Sequence, residues 1–200
     1  MDSYKTISDY SEGNYSELRS KFLAFAFPVK TVEQVKEIVA EYQKKFYDAR
    51  HVCYAYMLGP ERLQFRSNDN GEPSGTAGKP ILGQINSKEL TDILVIVVRY
   101  FGGVKLGTSR LIVAYRTAAA EALEAAQIIE KTVDATISII FEYPFMNDIM
   151  TIVKDEKPVI VTQGYDDTDC TMTLSIRKDS MPRLRAKLEK VTRIRFNDSI

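Results

Sequence analysis

The stretch Arg99-Tyr100-Phe101-Gly102-Gly103-Val104-Lys105-Leu106-Gly107-Thr108-Ser109-Arg110 brings cations, glycines and hydroxyls together in one short span. An apolar run, Ile93 to Val98, leads into it, and an alanine-rich helical pattern, Ala114 to Ala126, leads out. Strand, glycine loop and helix in that order leave the first backbone N–H groups of the helix without partners, and these point at an anion. Arg99, Lys105 and Arg110 add positive charge, while Gly102, Gly103, Gly107, Thr108 and Ser109 supply close backbone approach and polar donors. The chemistry this supports is phosphate binding, whether on a nucleotide, an RNA backbone or a small metabolite. Gly102 and Gly107 have the separation of the two glycines in a nucleotide-hydrolysing phosphate loop, but Thr108 stands where the lysine belongs and Lys105 lies inside the loop. Nucleotide hydrolysis of that type is excluded. A purely structural role has Gly102-Gly103 supplying positive φ at the reversal, Thr108 or Ser109 capping the helix, and Arg110 and Arg116 as solvated charges.

Asp69-Asn70-Gly71-Glu72-Pro73-Ser74-Gly75-Thr76-Ala77-Gly78-Lys79-Pro80 is the second span with reactive groups. A calcium loop with Gly71 at its sixth position would need carboxylates at Arg66 and Ala77, and Ser74 lacks the glycine-flanked elbow of a serine hydrolase. Asx-type turns account for the composition. A loop of this length rich in carboxylate and hydroxyl is nonetheless more often functional than connective. Asp69, Glu72, Ser74, Thr76 and Lys79 are therefore candidates to line a pocket. His51, the single histidine, stands between a helix and the strand starting at Cys53. It reads as a helix-end or core histidine, with pairing across space to the 69–80 loop as the chemical alternative. Cys53 reads as a small buried hydrophobe. Two isolated cysteines, Cys53 and Cys170, make neither a disulfide framework nor a zinc site. No metal, cofactor or catalytic residue is assigned.

The elements that must position these groups follow from pattern. Residues 1–18 are polar and irregular, a strand or arm. Ser20 to Val29, with Phe22, Leu23, Phe25 and Phe27, predicts a strand. Thr31 and Gln34 form a capping-box signature before apolar residues at helical spacing, from Val32 to Phe46. Cys53–Leu58 and Leu63–Ser67 predict a hairpin around Gly59-Pro60, followed by a short helix over 81–85, a buried strand over 93–98 and a long helix to about Gln127. The pattern then restarts with a strand over 133–143, a helix over 145–154, strands over 159–164 and 170–177 around the acidic turn Asp166-Asp167-Thr168-Asp169, a helix over 180–191 and a closing strand over 193–196. This β-α-β-β-α-β succession predicts a ferredoxin-like unit beyond a boundary near Glu130. The fold class is α+β, in two domains. Arg177, Lys178, Arg183, Arg185, Lys187, Lys190, Arg193 and Arg195 form a cationic cluster in the second, either solvated or facing RNA with Tyr143, Phe145 and Tyr165 available for stacking.

Composition sets further bounds. A 44% hydrophobic, 27% charged chain describes an ordinary globular protein, and the balance of 27 basic and 27 acidic residues argues against whole-molecule attraction to nucleic acid. No apolar run approaches the roughly 18 residues of a membrane span, and the polar N-terminus is unlike a signal peptide. The expected compartment is cytoplasmic, with no membrane partner.

Taken together, the 69–80 span and Val98 to Gly107 resemble the two signature segments of the Impact/YigZ family, the second being its most diagnostic stretch. The segment around His51 and Cys53 fits the same pattern apart from Arg50, and Ser109-Arg110-Leu111 replaces the glycines that follow Gly107 in many members. The resemblance implies an Impact N-terminal domain over 1–130, of the split β-α-β type seen in ribosomal proteins (ribosomal-protein domain 2-like) and in the fourth domain of elongation factor G. It also implies a ferredoxin-like domain over 131–200, similar to that factor's fifth domain. Eukaryotic members restrain an amino-acid-starvation kinase, which implies a link to translation. The expected function is a translation-linked, non-enzymatic protein binding RNA or the ribosome through the Arg99–Arg110 loop, helped by the basic C-terminal helix. The alternative is an enzyme acting on a small phosphorylated or carbonyl metabolite, with the 69–80 and 99–110 loops forming one pocket. That alternative requires the loops to meet within side-chain reach. A third possibility, a protein–protein adaptor, would show an exposed apolar patch.

Overall fold

A computed structural model describes residues 2–166 and 168–197. Asp167, in the expected acidic turn, lies outside the described residues. The chain divides into two compact units, Ser3–Lys131 and the residues from Thr132 onward together with Asp2.

In chain order the first unit comprises β1 (Ser3–Ile7), β2 (Ser11–Glu17), β3 (Ser20–Pro28), α1 (Val32–Lys45), β4 (His51–Leu58), β5 (Gln64–Asn68), α2 (Gly78–Ser87), β6 (Ile93–Tyr100), α3 (Gly107–Ala125) and β7 (Ile128–Thr132). Five strands form one sheet in the order β2-β3-β6-β4-β5, and β1 pairs separately with β7. β3 and β4 are both antiparallel to β6, which lies between them, so β3, α1 and β4 make the split β-α-β unit. Phe25, Val52, Tyr56, Leu94, Ile96 and Val98 pack with Val35, Val39 and Tyr42 of α1. On the opposite face Phe22, Ala24, Cys53, Ala55, Val95 and Val97 pack with α2 and α3. Burial on both faces explains why β6 is continuously apolar instead of alternating. Its last two residues complete the strand, so Arg99 belongs to the sheet and not to the loop.

The Thr31 side chain caps α1 by accepting from Gln34 N–H, but Gln34 reaches back to the Lys30 amide at 2.7 Å, one residue before the expected box. Where a strand or arm was expected before residue 18, two strands form, β1 and β2. β2 is a polar edge strand, and Gly13 is required there because a Cβ would lie 2.2 Å from the Ala122 nitrogen of α3. The helix expected over 81–85 spans Gly78–Ser87. Neither Thr108 nor Ser109 caps α3: the helix opens at Gly107 after Leu106, and no side chain bonds its first amides. The two glycines of the reversal also divide their work. Gly103 has φ +87°, whereas Gly102 is there for space, a Cβ at that position lying 2.1 Å from the Arg19 carbonyl carbon.

The second unit contains β8 (Asp134–Glu142), α4 (Met146–Glu156), β9 (Val159–Tyr165), β10 (Asp169–Arg177), α5 (Met181–Leu188) and β11 (Arg195–Phe196), with the sheet ordered β11-β8-β10-β9. Ile139, Phe141, Met172 and Leu174 meet Ile149, Val153, Leu184 and Leu188 in its core. The whole chain is α+β.

Gly102→Ala is expected to lower stability by about 2–3 kcal/mol, since the new methyl meets backbone that cannot yield. Gly83→Ala, in α2 with open space around its Cβ, is expected to raise it by about 0.5–1 kcal/mol. Urea unfolding of both variants checks the pair.

Candidate functional site

The 69–80 loop is organised by Asp69. Its carboxylate accepts N–H bonds from Gly75 (2.8 Å), Ala77 (3.1 Å) and Gly78 (2.8 Å), the last two being the opening amides of α2. Burial alone would raise the Asp69 pKa, but these three amides, with help from Lys79, outweigh it and hold the group below its ordinary value. Asn70 and Gly71 have φ of 44° and 83°, which turns the chain sharply. The Asn70 side chain accepts from Val52 N–H at 2.8 Å, and its carbonyl lies 2.7 Å from His51 Nδ1. The consequence of this turn is to carry Glu72 into the interior.

Glu72 is only 8% exposed and Arg99 5%. Arg99 Nη1 donates to Glu72 Oε1 at 2.6 Å, and the Tyr115 hydroxyl donates to the same oxygen at 2.8 Å. His51 Nε2 lies 3.8 Å from Oε2. Arg99 also sits against the rings of Phe22 and Phe101, at 5.5 and 5.7 Å, and its Nε is buried with no hydrogen-bond partner. Cys53 Sγ touches the Tyr115 hydroxyl at 3.4 Å and the Asp69 carbonyl at 3.0 Å. Burial pushes the Cys53 thiol up to about 12 and raises the Tyr115 phenol. Both are therefore neutral packing and hydrogen-bonding groups, not nucleophiles.

Above this network opens a cavity of about 530 Å³. Its floor is His51, Glu72 and Arg99; its sides are Pro73, Phe101, Leu106 and Leu111; Arg50, Lys105, Gly107 and Thr108 complete the wall. The 19-residue α3 begins here with neither a side-chain cap nor an acidic residue in its first turn. Its free amides and positive dipole end are therefore not neutralised by a cap or a first-turn carboxylate among the described residues.

The structure thus joins six of the candidates, His51, Glu72, Arg99, Lys105, Gly107 and Thr108, in one wall. The two loops meet within side-chain reach. Ser109 and Arg110 are exposed on the first turn of α3 outside that wall, and Gly102 and Gly103 shape the reversal. Asp69, Ser74, Thr76 and Lys79 do not line the cavity. Asp69 spends its carboxylate on amides, Thr76 is buried and donates to the Pro73 carbonyl, and Ser74 and Lys79 are exposed elsewhere on the loop. Arg50, Phe101 and Tyr115 were missed. The i, i+4 spacing of Leu111 and Tyr115 on a buried helix face was the available signal for the tyrosine.

In the second unit the cationic cluster is largely paired. Arg183 and Lys187 meet Glu156, Arg193 meets Glu142, Arg195 meets Asp169 and Arg177 meets Asp2. The neighbouring cations draw the Glu156 pKa down. Phosphate would have to displace these carboxylates. Among the described residues no three His, Cys, Asp or Glu side chains group as a metal site, and no helix is long and apolar enough to cross a membrane.

Fold and site define a two-unit α+β protein whose first sheet carries a polar-floored cavity at the start of a long helix. Residues 18–123 match the family profile of the Impact N-terminal domain. The chain is 31% identical over 167 residues to the IMPACT family member YvyE of Bacillus subtilis, covering 84% of this chain and 77% of that protein. It is 32% identical over 149 residues to the IMPACT family member YigZ of Escherichia coli, covering 74% and 73%. A crystal structure of a hypothetical protein superposes with a TM-score of 0.75 at 28% identity, over 98% of this chain and 97% of that one. The chain belongs to the Impact family.

Glu72→Gln should cost about 3 kcal/mol in urea unfolding, because the Arg99 charge stays buried without its counter-charge. Asp69→Asn should cost about 1–2 kcal/mol at pH 7. A carboxyl whose folded pKa is lowered stabilises the protein above its unfolded value and loses that contribution as pH falls through the folded one. The gap between wild type and Asp69→Asn should therefore narrow as pH drops below 3.8, the ordinary value for Asp69.

Proposed function

We propose that this protein is a translation-linked RNA-binding protein that seats a backbone phosphate of single-stranded RNA at the start of α3. The observation that carries the reading is the uncapped helix end in the cavity wall beside Lys105 and Arg50. Free amides, an unopposed dipole end and two exposed cations together favour an anion such as a backbone phosphate. Phe101, 49% exposed at the cavity side, offers a ring on which an adjacent base stacks, worth about 1–3 kcal/mol. The link to translation comes from the family resemblance, and the RNA is the ligand through which such a role is exercised. Because positive and negative charges balance over the chain, the attraction is local to this rim. The paired cations of the second unit contribute little to it.

Filter binding of single-stranded RNA between 50 and 200 mM salt tests this. Each phosphate contact contributes about 0.7 to the slope of log K against log salt. Lys105→Ala with Arg50→Ala is expected to weaken binding about tenfold or more at the lower salt and to reduce the slope by about 1.4. Binding that is absent, or that keeps both its strength and its salt dependence in the double variant, overturns the proposal.

A further inference from the structure

We infer that the cavity selects a nucleobase bearing an exocyclic amino group, with Glu72 Oε2 on the floor accepting a hydrogen bond from that group. The pocket stands on the floor and walls of the cavity, and it rests on the RNA reading above only for the strand that delivers the base.

Glu72 is the one carboxylate lining the cavity among the described residues, and its side chain is 3% exposed. Its two oxygens differ. Oε1 receives the Arg99 guanidinium and the Tyr115 hydroxyl, which together use its two lone pairs. Oε2 receives no hydrogen bond from a described residue, since His51 Nε2 at 3.8 Å lies beyond hydrogen-bond distance. Arg99 Nε is sealed from the cavity, whereas Glu72 Oε2 keeps a small surface on it. A buried carboxylate oxygen left unpaired costs free energy, which a ligand with an N–H or O–H donor recovers.

The rest of the cavity narrows the kind of donor. A carboxylate or phosphate group brings no donor at neutral pH and is repelled by Oε2. An ammonium brings donors, but Arg50, Arg99 and Lys105 line the same space and repel it. A sugar carries hydroxyls all round its ring, and Pro73, Phe101, Leu106 and Leu111 would leave most of them unpaired. A nucleobase is neutral and flat, with its donors confined to the edge. Its faces meet the Phe101 ring and the aliphatic walls while the amino group reaches Oε2. The volume of about 530 Å³ falls within the range of roughly 300–1,000 Å³ typical of small-molecule sites.

The same oxygen sets the selectivity. Cytosine and uracil match in size and in their stacking faces, but uracil has a carbonyl oxygen where cytosine has its amino group. A carboxylate oxygen accepts from the amino group and is repelled by the carbonyl. Adenine also carries an exocyclic amino group and is accepted on the same ground. A buried charged acceptor left unpaired by the wrong base discriminates about tenfold or more.

Fluorescence anisotropy with short oligo(C) and oligo(U), and calorimetric titration with cytidine, test this on the full chain at neutral pH. Oligo(C) is expected to bind about tenfold or more tightly than oligo(U). In Glu72→Gln, Arg99 and Tyr115 hold the amide oxygen in the Oε1 place, which turns the amide NH2 toward the cavity. The preference for cytosine is then expected to vanish or reverse. Phe101→Ala is expected to weaken both oligonucleotides at least fivefold. Circular dichroism establishes that each variant is folded, and the wild-type ratio with Phe101→Ala decides the matter should Glu72→Gln fail to fold. Selective oligo(C) binding that follows this pattern supports the base pocket whether or not free cytidine binds. Equal binding of the two oligonucleotides, a ratio unchanged in folded Glu72→Gln, or no loss in Phe101→Ala overturns the base pocket and leaves the RNA reading standing. Cytidine binding without oligonucleotide binding overturns the RNA reading and leaves the base pocket. Binding of neither overturns both.

Discussion

The ion pair between Glu72 and Arg99 is the constraint to which the first unit is subordinate. Two charges removed from water are tolerated only with good geometry and further hydrogen bonds, and Tyr115 supplies one of these. Each partner arrives by a different route. Arg99 is carried by β6, the central strand of the sheet, while Glu72 is carried by a loop with no regular structure of its own. The Asp69 amide cluster, the positive φ of Asn70 and Gly71, and the His51 contact to the Asn70 carbonyl all serve to hold that loop in place. A loop so tied has little freedom, which gives the cavity floor a fixed shape.

The same interaction divides the cations around the cavity into two kinds. Arg99 is neutralised, sandwiched by rings and buried. Lys105, Arg110 and Arg50 are exposed around the start of α3, where no carboxylate in the first turn opposes them. The second unit handles charge differently, pairing its basic residues with acidic ones on neighbouring elements. Exposed pairs of that kind contribute little stability, but they remove the field that would draw in a polyanion. Charge density in sequence was thus a poor guide to free positive charge in space.

Small residues decide how closely the backbone can approach in the first unit. Ala114, Ala118, Ala119 and Ala122 let α3 lie close to the sheet, and Gly13 and Gly102 remove side chains where two backbones nearly touch. Tyr115 is the largest side chain fully buried from α3, placed edge-on to Phe22 with ring centroids 5.1 Å apart. Its hydroxyl reaches Glu72 because the surrounding alanines allow the helix to sit so near.

Local patterns were legible wherever a single physical cause acts over a few residues. The apolar run of β6, the Thr31 cap, the hairpin at Gly59-Pro60, the β-α-β-β-α-β succession after Glu130 and the two signature loops all follow from periodicity, turn chemistry or motif. Residues such as Glu72 and His51 were recognisable as candidates by type. Their roles were not, because a carboxylate's partner depends on which strand and helix lie across from it, and those contacts join positions far apart in sequence. Asp69, Ser74, Thr76 and Lys79 carried the same chemical promise as Glu72, yet the turn at Asn70-Gly71 sends only Glu72 inward. The β2 edge strand was hidden because its polar residues acquire a buried side only when α3 covers them. Sequence alone settled the fold class and the family, since these rest on local pattern. Which side chains form the cavity floor, and which cations remain unneutralised, was decided by tertiary structure, since burial and charge pairing are properties of the space between elements.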